Sequence, residues 1–305
     1  SADIQKQLED YHNTLAKYRR IKEDEPKDYR GELTKDRYED INDRVYGNNN
    51  LQGGSGSHGT HVCGIIGAVR NNNIGVDGIV DNVSIMVIRA VPGGDEHDKD
   101  VALAIRYAVD NGASVINMSF GKPVSPYKQL VDDAIRYASR KGVLLVHGAG
   151  NEGVNLDENP FYPNQFFLDG KKADNMLTIG ASGDYSTRDG LAASFSNYGV
   201  KGVDIFAPGV YINSTVPGNA YDAYDGTSMA SPVAAGVAGL LKSYFPKLTP
   251  AQLIDIILRS GTAVTEDVTL PGSDKKTTFS QLCSSGKIIN AYEAVKLAIQ
   301  LYGKN

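Results

Sequence analysis

The sequence predicts an α/β protein with a mostly parallel sheet. From residue 58 onward, short apolar runs alternate with stretches of helical periodicity, which is the pattern of βαβ units. Two of the helical stretches begin with typical capping residues, Thr249 before Pro250 and Asn290 three residues before Glu293. The composition, with 41% hydrophobic and 22% charged residues among 305, is that of a folded domain with a sizeable core.

The first 57 residues differ from the rest of the chain. Charged side chains crowd the stretch 17–44, and apolar residues are sparse there. We predict that 1–57 is a charged insertion or amino-terminal segment with one or two exposed helices. It ends in a glycine-rich approach at 53–57, and a second domain occupies 58–305.

Periodicity places the elements of the second domain in order. Strands are predicted at 83–90, 114–119, 143–147, 176–181 and 203–207. Helices are predicted at 99–111, 127–140, 228–244, 250–259 and 290–302. A helix separates the first predicted strand from the second, and another separates the second from the third, as parallel neighbours require.

Charge, hydropathy and cysteine content exclude several classes. The net charge of −5 shows no basic excess, so nucleic acid is not an expected partner. No apolar run approaches the roughly 18 residues of a membrane span. Cys63 and Cys283 are too few for a disulfide framework, and we expect free thiols. The chain begins at Ser1 and not at Met, and it lacks an apolar signal-peptide core, so we expect either a processed protein or a trimmed chain.

The stretch Gly-Thr-Ser-Met-Ala-Ser-Pro at 226–232 places the hydroxyl of Ser228 at the start of a predicted apolar helix. Free N–H groups and the positive dipole end at such a terminus stabilise a developing oxyanion, so Ser228 is a candidate nucleophile. The alternative is that Ser228 only caps the helix. The stretch is not a GxSxG elbow, because Ala230 stands in place of the final glycine.

A serine hydroxyl needs a neighbouring base to become nucleophilic, and His58 is the candidate. It lies in Gly-Ser-His-Gly-Thr-His-Val at 56–62, a second glycine-rich entry to an apolar helix. His58 and His61 share a helical face and could alternatively form a metal pair. No HExxH glutamate accompanies them, and no third ligand is evident.

The stretch Gly-Ala-Gly-Asn-Glu-Gly at 148–153 follows a predicted strand and matches GxGxxG. A dinucleotide site would need a helix to open at this motif, whereas 154–160 reads as a loop. The second interpretation is a flat glycine-rich segment that accepts a peptide backbone and ends in Asn151, an amide placed to donate to an oxyanion.

Together these three segments resemble the signatures of the subtilisin-like serine protease family, in the family's chain order. The resemblance covers roughly 56–302. It implies that Ser228 is the nucleophile, His58 its general base and Asn151 the oxyanion donor. The protein would then be a serine endopeptidase, and 58–305 would be its catalytic domain.

The same resemblance implies a doubly wound sheet with helices on both faces. The extended polypeptide substrate would lie between two segments that flank the primary specificity pocket, and these comprise Ser119, Phe120 and Gly121 together with Gly148, Ala149 and Gly150. No cofactor is needed for the chemistry, and the expected location is secreted or extracytoplasmic.

The family's third triad member, an aspartate ending an early apolar strand in an Asp-Thr-Gly or Asp-Ser-Gly context, is not evident here. The aspartates before His58 lack that context, namely Asp3, Asp10, Asp24, Asp28, Asp36, Asp40 and Asp43. One alternative is that an acidic residue of this set substitutes for it. The simpler expectation is that the chain starts downstream of the aspartate, so that 1–57 corresponds to an enlarged insertion between aspartate and histidine. We then expect the sheet to lack an early central strand, with 83–90 and 114–119 left distorted or paired with another segment or chain. Without the carboxylate, this chain alone would be inactive or slower by a factor on the order of 10⁴.

Structural calcium is a further expectation from the resemblance. The loop 70–76 is similar to a family loop that binds calcium through backbone oxygens and one asparagine side chain, here Asn72. The alternative is an ordinary surface turn. Cys63, five residues after His58, is interpreted as a packing residue.

Overall fold

A computed structural model describes residues 29–52, 54–91, 96–186 and 190–303. The chain divides into two compact units, Ser1–Asn50 and Leu51–Asn305. The first unit contains helix α1, Tyr29–Thr34, whose Arg30 guanidinium pairs with the buried Asp36 carboxylate. The other helical residues expected in the charged segment, within 1–28, lie outside the described residues.

The second unit is built on one sheet and two hairpins. Within the described residues, the sheet has six strands, β1 (Val115–Met118), β2 (Leu144–Gly148), β3 (Met176–Ser182), β4 (Ile205–Pro208), β7 (Thr262–Ala263) and β10 (Lys287–Ile288). Their order is β1-β2-β3-β4-β10-β7, and all neighbours are parallel except β7 and β10, which are antiparallel. The two hairpins pair β5 (Ile212–Val216) with β6 (Ala220–Tyr224) and β8 (Asp267–Thr269) with β9 (Lys276–Thr278).

Helices cover both faces of this sheet, which confirms the doubly wound α/β class. They are α2 (Ser57–Gly67), α3 (Asp98–Asp110), α4 (Lys128–Arg140), α5 (Thr227–Tyr244), α6 (Pro250–Ser260) and α7 (Ala291–Tyr302), with a short 3₁₀ turn at Phe279–Gln281. Helices α5, α6 and α7 pack on one face in a single apolar cluster. Helices α3 and α4 pack on the other face in a second cluster.

Strand β2 shows how the sequence separates the two faces. Leu144 and Val146 point into the cluster around α5, whereas Leu145 between them points into the cluster around α3 and α4. All three side chains are fully buried. A strand between two helix layers buries both of its faces, so its residues form a continuous apolar run and not an alternating one.

The helix starts expected at two capping residues are confirmed. The Thr249 hydroxyl accepts a hydrogen bond from the Gln252 N–H, the Gln252 side chain accepts one from the Thr249 N–H, and Pro250 occupies the first turn. The Asn290 carboxamide oxygen accepts the N–H of Glu293 at 3.0 Å. Each bond satisfies a donor that the helix geometry leaves without an internal partner. No helix in the described ranges is long and apolar enough to cross a membrane.

The prediction of a strand at 83–90 is wrong. No ladder forms there among the described residues. Four of its apolar side chains are 39% to 50% exposed, namely Val83, Ile85, Met86 and Val87. Apolar character alone does not make a strand, because the ladder needs a neighbouring strand to take its N–H and C=O groups. Strand β1 correspondingly lies at an edge of the described sheet.

Hydrogen exchange tests whether 83–87 lacks ladder partners. We expect the amides of 83–87 to exchange at least about a hundredfold faster than those of β2, because their backbone groups lack ladder partners. Amide exchange followed by mass spectrometry measures both segments in one sample. Equal protection in the two segments would contradict this expectation.

Candidate active site

Two segments expected to bind a peptide leave the sheet side by side. Ser119, Phe120 and Gly121 follow β1 directly, and Ala149 follows β2. The register pairs Met118 with His147, so the two segments emerge at the same carboxyl edge. In an open α/β sheet this edge is where ligands bind.

Ser228 occupies the first turn of α5 and is half-buried. Its hydroxyl donates to the Ser119 carbonyl oxygen at 3.3 Å, and the Ser119 hydroxyl donates to the Ser228 carbonyl oxygen at 2.8 Å. The turn before it depends on Gly226, whose φ of 151° is rarely adopted by residues with a side chain. These contacts place the candidate nucleophile against the segment that follows β1.

The side-chain amide of Asn151 has a fixed orientation. Its oxygen accepts the Thr227 N–H at 2.8 Å and the Thr227 hydroxyl at 3.0 Å. Its NH₂ group is therefore left to face outward from this pair. The backbone N–H of Ser228 has no hydrogen-bond partner among the described residues. Two donors near the start of one helix are what a developing oxyanion requires.

His58 lies in the first turn of α2 and is exposed. One turn further, Val62 and Ile65 pack against Met229 of α5, so the two helices that carry His58 and Ser228 in their first turns are in contact. Within the described part of the chain, neither ring nitrogen of His58 has a hydrogen-bond partner. Although the residue is exposed, the protein around the ring removes part of its water, and this partial desolvation is the main cause that lowers the pKa of His58 below its usual value. The electrostatic interaction with His61 is the second cause.

His61 has a structural role that accounts for its spacing from His58. It is fully buried, and its Nε2 lies 3.0 Å from the carbonyl oxygens of both Ile212 and Asp222. Its ring stacks on Tyr224 at 4.3 Å. Because Nε2 faces two acceptors, it carries a proton, and Nδ1 has no hydrogen-bond partner among the described residues. No group of three or more potential metal ligands occurs in the ranges that the structure describes.

The Gly148–Gly150 segment uses its own backbone donors within the protein. The Ala149 N–H donates to the Ile179 carbonyl at 2.9 Å, and the Gly150 N–H donates to the Thr227 hydroxyl at 3.0 Å. A Cβ on Gly148 would lie 2.9 Å from the Thr227 carbonyl oxygen, so a side chain is excluded there. No helix opens at this motif, and the dinucleotide interpretation is not supported.

Two residues that shape the site were not identified from the sequence. Thr227 joins the start of α5 to both Gly150 and Asn151. Asn197, fully buried, accepts the N–H groups of Glu152 and Val154 and donates to the Ala149 carbonyl. For Thr227, the only signal in the sequence is its position next to the candidate nucleophile. The second depends on a contact across 48 residues that no local pattern contains.

His147 lies directly before the glycine segment and is fully buried, as expected for a core residue. Its Nε2 lies 2.7 Å from the Phe120 carbonyl oxygen and its Nδ1 has no partner among the described residues. It thus ties the segment after β2 to the segment after β1. Desolvation lowers the pKa of His147 to about 4, although the hydrogen bond to the Phe120 carbonyl raises it in part.

The remaining candidates have local roles. The Asn72 carboxamide oxygen accepts the Ile74 N–H at 2.9 Å, the arrangement of a surface turn, and calcium binding there stays a prediction. Both cysteines are free, and burial raises the pKa of the Cys63 thiol, which suits a packing residue. Asp36 and Asp43 are engaged by Arg30 and Arg37 of their own unit. The aspartates at 3, 10, 24 and 28 lie outside the described residues.

The fold and the site have the parts of a serine hydrolase: a serine at a helix terminus, an oriented amide, a histidine on the adjoining helix and the carboxyl edge of a parallel sheet. The chain belongs to the subtilase family, because the model of that family (Peptidase_S8) matches residues 10–281.

Curated relatives agree with this assignment. A thermophilic serine proteinase from Bacillus sp. (strain AK1) is 42% identical over 188 residues, which is 61% of this chain and 43% of that protein. Alkaline elastase YaB from Bacillus sp. (strain YaB) is 37% identical over 210 residues, 68% of this chain and 50% of that protein. Subtilisin Savinase from Lederbergia lenta is 36% identical over 221 residues, 72% of this chain and 75% of that protein. The chain thus spans about half the length of the first two relatives.

Solved structures show the same fold. A protease from Pseudoalteromonas arctica PAMC 21717 superposes with a TM-score of 0.63 at 29% identity, over 83% of this chain and 74% of that one. The prenylagaramide maturation protease PagA superposes with a TM-score of 0.61 at 26% identity, over 81% of this chain and 84% of that one.

Burial of His147 predicts a specific acid sensitivity. The unfolded chain protonates this imidazole near pH 6.5, whereas the folded chain protonates it near pH 4. Stability is therefore complete above about pH 6.5 and falls by about 3 kcal/mol as the pH drops to 4. Urea unfolding of the native protein and of His147→Gln at several pH values measures this, and the variant should lose that part of the dependence. Identical pH dependence in both proteins would contradict the prediction.

Proposed function

We propose that this chain carries the catalytic centre of a serine endopeptidase. The observation that supports this best is the fixed orientation of Asn151. Because Thr227 holds the amide oxygen with two hydrogen bonds, the NH₂ group faces outward near the free N–H of Ser228. A binding module without chemistry has no need of an oriented donor pair beside a serine and a histidine.

In the proposed reaction the Ser228 hydroxyl attacks the scissile carbonyl and transfers its proton to His58. The negative charge that develops on the carbonyl oxygen is stabilised by the Asn151 NH₂ group and the Ser228 N–H. His58 then protonates the leaving amine, and water repeats both steps on the acyl-enzyme. The lowered pKa of His58 keeps the imidazole neutral at physiological pH, as a general base requires.

The attack requires Ser228 to change partner. Its hydroxyl now donates to the Ser119 carbonyl and not to His58. Catalytic hydrogen bonds often form only when substrate is bound. In the proposed complex, the substrate lies along Ser119–Gly121, while Ala149 and Gly150 form the opposite wall, since their N–H groups are already engaged.

The described residues contain no carboxylate that is hydrogen-bonded to His58 and could orient it. We propose that another segment or chain supplies one on an apolar strand that pairs with the free edge of β1 and ends in an aspartate near His58. A histidine without such a partner has neither a fixed tautomer nor a stabilised cation. The described residues alone are therefore expected to be slow.

The proposed substrates are polypeptides in extended conformation, and the proposed location is secreted or extracytoplasmic. Both follow from family membership. No cofactor has a role in the proposed steps. Structural calcium near Asn72 would affect stability only.

Covalent labelling tests the nucleophile. We expect a fluorophosphonate probe to modify Ser228, and to leave Ser228→Ala unmodified. Asn151→Ala should react about 10² to 10³ times more slowly, because one oxyanion donor is lost. Peptide mapping identifies the modified residue, and circular dichroism shows whether the variants remain folded. Absence of labelling at Ser228, even with the strand peptide described next, would rule out the hydrolase.

A synthetic strand tests the missing carboxylate. A peptide of about eight residues, apolar and ending in Asp-Thr-Gly, should raise the labelling rate of Ser228 by up to about 10⁴. The matched peptide ending in Asn-Thr-Gly controls for strand pairing without the charge and should give little increase. If both peptides have the same effect, the carboxylate is not what the site lacks.

A further inference from the structure

The carboxylate of Glu96 occupies a position on the proposed substrate segment. Its Oε1 accepts the backbone N–H of Gly121 at 3.2 Å. Glu96 is half-buried and precedes α3 by two residues. Gly121 presents only backbone here, because a Cβ would lie 2.3 Å from the ring of Phe161.

This contact lies close to the nucleophile. Ser119 exchanges two hydrogen bonds with Ser228, and Gly121 is two residues further along the same segment. An extended chain advances about 3.3 Å per residue, so Glu96 meets the segment about 7 Å from the Ser119 contact. A substrate strand along this segment would meet Glu96 about two residues from its scissile bond.

The charge of Glu96 has no neutralising partner among the described residues. The nearby Lys122 forms an ion pair with Asp98 at 2.9 Å and donates to the main-chain carbonyl of Glu96, not to its carboxylate. Asp98 also accepts the Ser125 hydroxyl and the Tyr127 N–H, at 2.9 and 2.7 Å. Asp98 therefore has a structural role, and Glu96 carries the unpaired negative charge.

We infer that Glu96 is a specificity-determining residue that selects polypeptides with Lys or Arg at the position beside Gly121. This inference rests on the proposed function, since it assumes that substrate lies along 119–121. A substrate carbonyl that takes the Gly121 N–H releases the Glu96 carboxylate beside the substrate side chain. A cationic side chain replaces the lost interaction, a neutral one does not, and an acidic one is repelled.

Peptide binding to Ser228→Ala tests the inference without any turnover. Fluorescein-labelled nonapeptides carry Lys, Gln or Glu at one position, which is scanned along the sequence, and anisotropy gives each affinity. We expect one position at which Lys binds about fivefold more tightly than Gln, and Glu more weakly than Gln. Adding Glu96→Gln should bring the Lys-to-Gln ratio close to one, although its amide can still accept the Gly121 N–H.

A matched control removes the same charge elsewhere. Glu266 is exposed, and Glu266→Gln in the Ser228→Ala background should leave the ratio unchanged. The inference is overturned if the ratio is equal with and without Glu96, if no position shows a preference, or if no peptide binds. Probe labelling of Ser228 without a preference would overturn this inference alone. A Glu96-dependent preference without labelling would support it and overturn hydrolysis.

Discussion

The hydrogen bonds of Thr227 hold the candidate site together. Its hydroxyl accepts the Gly150 N–H and donates to the Asn151 oxygen, while its own N–H donates to the same oxygen. One residue thereby joins the start of α5 to the loop after β2. The orientation of Asn151, the path of the glycine segment and the position of Ser228 all depend on this junction. Because Thr227 is buried, water does not compete for these bonds.

Charge is arranged unevenly around that junction. The acids that support the fold are paired, as Asp98 is with Lys122 and Asp132 with Lys128. By contrast, His58 has no carboxylate partner and Glu96 has no cationic partner within the described residues. A protein normally pairs its partly buried charges, since desolvation is costly. A neutral His58 without a carboxylate and a Glu96 carboxylate without a cation are consistent with partners that arrive from outside the described residues, one for the base and one in the substrate.

Two similar apolar runs adopt different structures in this protein. The apolar run at 143–147 and that at 83–90 both predict strands, yet only the first is a strand. The difference is the neighbour: β2 lies between β1 and β3, whereas 83–90 has no ladder partner among the described residues. Similarly, the spacing of His58 and His61 does not reveal that the Nε2 atom of His61 lies against the carbonyls of Ile212 and Asp222.

The sequence by itself determined the α/β class, the order of most helices and strands, the two capped helix starts and the three motifs that identify the family. These features are local, because periodicity, capping and turn glycines act over a few residues. Only the tertiary structure decided which way the Asn151 amide faces, why His61 is buried, that 83–90 has no ladder partner among the described residues and that Glu96 contacts Gly121. Each of these depends on atoms brought together from distant parts of the chain, and no local pattern encodes that proximity.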